Sequence, residues 1–96
     1  IMKYSKNSLL EIKNKLNRII FKQLLNALPA NFSYQDFDCN FQKTRDIKFG
    51  DYSSNILMKS QLSKEVMDAV SKNIIKALPK KIVQKAEVVG PGFLNI

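Results

Sequence analysis

Between Leu9 and Leu24 the apolar residues return every three or four positions: Leu9, Ile12, Leu16, Ile19, Ile20 and Leu24. That period lines them along one stripe of an α-helix. Lys13, Asn14, Lys15, Asn17, Arg18 and Lys22 fall mostly between them. The spacing predicts a helix over 5–28, with Ser5 or Asn7 as its cap, Glu11 early and Pro29 as its stop. A stripe of this kind must be covered, so the rest of the chain has to supply a second layer.

Residues 30–36 are polar and aromatic and read as a loop. Phe37-Asp38-Cys39-Asn40-Phe41-Gln42 then alternates strictly, with Phe37, Cys39 and Phe41 on one face, the pattern of a half-buried strand. The alternation is expected to resume at Ile47 and Phe49 after a turn or bulge at 44–46. Gly50 permits a tight turn, and Asp51 or Ser53 is placed to cap a short helix from about Ser54 to Ser60 that offers Ile56 and Leu57 to the core. A second helix is expected from about Lys64 to Leu78, capped by Ser63 and ended by Pro79. Val66, Met67, Val70, Ile74 and Leu78 would line its buried face. Beyond Lys80-Lys81 and Ile82-Val83, a strand over Ala86–Val89 turns at Gly90-Pro91-Gly92 into another beginning at Phe93.

The expected order is α-β-α-α-β-β, an α+β fold with helices packed on one side of a small, mostly antiparallel sheet. Ninety-six residues suit one core and one domain, 1–96. The sequence stops inside an expected strand, so it reads as a fragment of a longer chain.

Several chemistries are excluded. The chain has no histidine and one cysteine, Cys39. It therefore cannot form an intrachain disulfide or a Ser-His or Cys-His nucleophile pair, and it offers no ordinary metal-ligand set. The single cysteine suits a reducing cytosol. No apolar run approaches the roughly 20 residues of a membrane-spanning helix, and no long apolar segment follows the first residues as in a secretion signal. Asp36 and Asp38 would share a strand face, and Asp46 lies nearby, but no partner base supports a catalytic carboxylate pair. Sixteen basic residues against eight acidic give a net charge of +8, which favours an anionic partner. Asn, Ile and Lys are also what AT-rich coding enriches, so charge alone does not assign a basic face.

Two segments narrow the choice: Lys48-Phe49-Gly50-Asp51-Tyr52-Ser53-Ser54-Asn55 and Val88-Val89-Gly90-Pro91-Gly92-Phe93-Leu94-Asn95-Ile96. Each alone is ordinary turn chemistry. Their order, their separation by two helices and the amphipathic helix ahead of them together resemble the N-terminal domain of bacterial arginyl-tRNA synthetases. The resemblance is specific from about Lys43 to Ile96, whereas the first helix matches in pattern only. It implies a domain that grips the outer corner of the L-shaped tRNA(Arg) at the D-loop. An aromatic just after the Gly-Pro-Gly turn and an amide two positions on are implied to contact a D-loop base, which here are Phe93 and Asn95.

The chemistry of those two side chains agrees. Residues two apart on a strand face the same way, a phenyl ring gives an unstacked base a platform, and an amide offers one acceptor and two donors. Lys48, Lys80, Lys81 and Lys85 lie near the two segments in sequence and are the expected phosphate contacts. Phe49, Gly50, Asp51, Tyr52, Gly90, Pro91 and Gly92 are assigned to turn and junction geometry. The family often carries Gln after the Tyr of the first segment, where this chain has Ser53.

The partners so implied are tRNA(Arg) and the catalytic domain of the same chain, in the cytoplasm, with no membrane and no DNA. The parent enzyme of such a domain joins arginine to its tRNA using ATP and Mg²⁺. This stretch holds no catalytic residue, no cofactor site and no Gly-rich phosphate cradle. Met58-Lys59-Ser60 matches the synthetases' Lys-Met-Ser-Lys-Ser loop only by chance. The alternative reading is a basic protein-interaction or architectural module without specific RNA reading, and a third is a non-specific RNA binder.

Overall fold

The apolar stripe finds its cover in a second helix and a short-stranded sheet. The computed structural model describes residues 6–28 and 33–96. Helix α1 (Lys6–Leu24) buries Leu16, Ile20 and Leu24 against helix α3 (Lys64–Ala77), which contributes Val70 and Ile74. Leu78 closes α3, and the Ser63 side chain caps it by accepting from the Val66 amide at 3.3 Å. Val66, expected on the buried face, sits in the first turn and is exposed. Ser5 and Pro29, the expected cap and stop of α1, lie outside the described residues, as do residues 30–32 of the expected loop. No helix among the described residues is long and apolar enough to cross a membrane.

Among the described residues the sheet has four strands: β1 (Gln42–Lys43), β2 (Tyr52–Ser54), β3 (Glu87–Val89) and β4 (Phe93–Asn95). They lie in the order β1-β2-β4-β3 with every neighbouring pair antiparallel. Gln42, Ser53, Asn95 and Glu87 form one cross-strand row, and Ser54, Leu94 and Val88 form the next. The short helix α2 (Ile56–Lys59) packs on β4 and buries Ile56 and Leu57. The fold is α+β, as expected.

Three local expectations are corrected. The first is the strand over Phe37–Gln42. Phe37, Cys39 and Phe41 are buried as the alternation demands, but only Gln42 and Lys43 join a ladder. Side chains occupy the backbone groups that a ladder would use. The Cys39 amide donates to Asn17 Oδ1 on α1 at 3.0 Å, and the Cys39 carbonyl accepts from Ser54 Oγ at 2.6 Å. The second is the resumed alternation at Ile47 and Phe49. The Asp46 carboxylate accepts from the Lys48 amide at 3.0 Å and curls residues Ile47–Phe49 into a 3-10 turn, leaving Ile47 86% exposed. The third is the strand β2, which lies where a junction was expected. Its three residues carry no apolar alternation. Tertiary pairing holds it: Tyr52 and Ile96 exchange amide-to-carbonyl bonds at 3.0 and 2.9 Å.

Neither Asp51 nor Ser53 caps α2. The N-cap position is Asn55, whose side chain makes no capping bond; Ser54 Oγ, one residue earlier, accepts from the Ile56 amide at 3.1 Å while donating to the Cys39 carbonyl. This buried hydroxyl ties the extended segment, β2 and α2 together. Ser54→Ala leaves two buried backbone groups without their partner and is expected to cost about 2 kcal/mol in urea unfolding.

Candidate nucleic-acid interface

Alternation along β4 divides its side chains between two environments. Leu94 is 0% exposed in the core, whereas Phe93 and Asn95 point to the other face of the sheet. Phe93 is 40% exposed. Asn95 is only 4% exposed and sits on the floor of that face, where its Oδ1 accepts from Ser53 Oγ of the neighbouring strand at 2.6 Å. Gly90 and Gly92 take φ of 57° and 133° in the turn that delivers Phe93, closed by a bond from the Gly92 amide to the Val89 carbonyl at 3.3 Å.

Two depressions meet at Asn95. The first, of about 340 Å³, is lined by Thr44, Phe49, Ser53, Val89, Phe93 and Asn95 and is almost entirely apolar. The second, of about 350 Å³, is lined by Ile47–Asp51, Gln84, Lys85, Glu87, Asn95 and Ile96 and is more polar. Phe49 and Asn95 line both. Lys48 places its Nζ 5.2 Å from the Phe49 ring centroid and 3.6 Å from Asp46 Oδ2. Both members of that ion pair are solvated, so it is weak and leaves the ammonium accessible.

The structure therefore brings Phe93, Asn95, Lys48 and Lys85 to one region, with Phe49, Gly50 and Asp51 beside them. Tyr52 instead faces the core, half-buried. Lys80 and Lys81 are exposed in the turn after α3 and line neither depression. Sequence reasoning gave Phe49 a purely structural part and did not place Thr44, Ser53 or Val89 at the site. The signal for Phe49 was Asp46, whose carboxylate is spaced to capture the Lys48 amide and so turn the following aromatic outward.

Cys39 is buried, and burial, reinforced by the charge of Asp38, pushes its thiol up to about 12, so it stays protonated and unreactive. Asp38 Oδ1 accepts from the Asn40 amide at 2.8 Å and from Asn17 Nδ2 at 3.3 Å, a structural role. Asp36 falls in a 3-10 turn rather than a strand, and its side chain lies outside the described residues. Among the described residues no group of three or more His, Cys, Asp or Glu could hold a metal ion.

The chain is thus an α+β domain with an antiparallel sheet, helices on one face, and exposed aromatics beside a buried amide on the other. The family profile described as "Arginyl tRNA synthetase N terminal domain" matches residues 7–96, and the chain belongs to that family. The arginine–tRNA ligase of Dechloromonas aromatica is 28% identical over 87 residues, covering 88% of this chain and 14% of that protein. That of Leptospira interrogans is 33% identical over 89 residues, covering 83% and 15% respectively. That of Listeria welshimeri is 37% identical over 54 residues, covering 53% and 10%. The chain thus spans about one seventh of the length of the first two relatives.

Proposed function

We propose that this chain is the N-terminal accessory domain of a longer arginine–tRNA ligase, and that it helps select tRNA(Arg) by holding a D-loop base. The observation that carries this reading is the pairing of a 40% exposed Phe93 with Asn95 in one apolar depression. Phe93 stacks on an unpaired base, an interaction worth roughly 1–3 kcal/mol. Asn95 hydrogen-bonds the base edge, its amide steadied by Ser53. Lys48 and Lys85 contact phosphates beside the base, and Lys80 and Lys81 contact phosphates further along the backbone.

In this reading the chain acts in the cytoplasm, its partners are tRNA(Arg) and the catalytic domain of its own polypeptide, and it contributes no catalytic group. The longer protein attaches arginine to tRNA with ATP and Mg²⁺ on that other domain. The competing reading, a protein-interaction module, draws on the same exposed apolar side chains. Salt separates the two. Binding to arginine tRNA is expected to weaken linearly in log–log form, with a slope of about −0.7 to −0.9 per phosphate contacted. A slope near zero in the same titration contradicts phosphate-mediated recognition and favours the module.

A further inference from the structure

The two depressions are contiguous, and Phe49 stands between them. Gly50 lies against the backbone of Ile96, since a Cβ on it would meet the Ile96 carbonyl oxygen at 2.5 Å. That contact puts Phe49 at the far end of β4 from Phe93, with Asn95 in the middle. Phe49 is 47% exposed, so its ring is not spent on the core.

We propose that this surface holds two consecutive unpaired nucleotides, with Phe49 as the stacking platform for the second; the inference rests on the D-loop reading above. The apolar depression takes the first base on Phe93. The second nucleoside lies on Phe49 and turns its polar edge into the neighbouring depression. The mixed lining there suits a nucleoside better than a bare phosphate, because the Glu87 carboxylate accepts from a 2′-hydroxyl or exocyclic amine and Gln84 both donates and accepts. Lys48, whose Nζ lies over the Phe49 ring, and Lys85, which lines the second depression, lie beside the phosphate that joins the two nucleotides. Asn95, common to both depressions, marks where the strand crosses.

The test uses transcribed arginine tRNA and versions with single abasic D-loop nucleotides, titrated against the chain and its Phe49→Ala, Phe49→Trp and Phe93→Ala variants. Wild type is expected to lose affinity at two adjacent abasic positions. Phe49→Ala is expected to weaken binding roughly tenfold and to lose sensitivity to one of those positions only, and Phe49→Trp to restore both. Its thermal unfolding should match wild type, since the ring is half exposed. Phe49→Ala binding as wild type while Phe93→Ala binds weakly overturns the second platform and leaves the D-loop reading standing. If neither variant matters, or wild type does not bind, both fail.

Discussion

Leu94→Ala is expected to destabilise the fold by about 3 kcal/mol, while Phe93→Ala, one residue away, leaves stability nearly unchanged. Leu94 is 0% exposed on the central strand β4 and faces the helices. Its truncation removes transfer free energy and leaves a cavity, for which roughly 2–5 kcal/mol is usual. For a domain of this size each kcal/mol lowers the melting temperature by roughly 4–8 °C, so the difference is plain in a thermal scan. Phe93 is on the opposite face, and its variant should instead weaken tRNA binding. Equal stability losses at 93 and 94 would mean that Phe93 is a core residue and not a platform.

Gly50→Ala is expected to be nearly as damaging, by about 3 kcal/mol in urea unfolding. The backbone sits at φ +87°, where an L side chain is strained by roughly 1–2 kcal/mol. Its Cβ would also press the Ile96 carbonyl oxygen and carbon at 2.5 and 3.0 Å. Those atoms cannot swing aside, because the Ile96 carbonyl accepts from the Asp51 and Tyr52 amides at 2.7 and 3.0 Å. Forcing extra volume into such a contact costs roughly 1–3 kcal/mol more. The turn also receives a hydrogen bond from the Thr44 hydroxyl to the Gly50 carbonyl and carries Phe49, so the binding face is disturbed with it. Wild-type stability in this variant would show that the approach of residue 50 to β4 is looser than described.

The helices were legible because their periodicity is long and their core residues are aliphatic. Ser63 as the cap of α3 and the turn at Gly90–Gly92 were legible for local reasons: a hydroxyl three residues ahead of an amide, and glycines where φ turns positive. Strand β2 was not, because Tyr52–Ser54 owes its extended form to Ile96 and β4, whose paired residues lie 40 or more positions away in sequence. The segment at 37–41 misled for the converse reason. Its burial alternates like a strand's, but Asn17 and Ser54 take its backbone bonds, and a distant side chain leaves no mark in the local pattern. At the site, Phe93 and Asn95 came from the resemblance and from their spacing of two. Phe49 was hidden because an aromatic before a glycine reads equally as core and as platform until the Asp46-capped turn aims it outward.

The central claim is most directly tested by following backbone and side-chain amide shifts of the isotope-labelled chain by NMR, first with arginine tRNA and then with the same tRNA carrying replaced D-loop bases. The account predicts shifts concentrated at Phe93, Asn95, Phe49, Lys48 and Lys85 that shrink when the D-loop bases are changed. Shifts that spread over the lysines regardless of the D-loop, or spare β4 altogether, would contradict it.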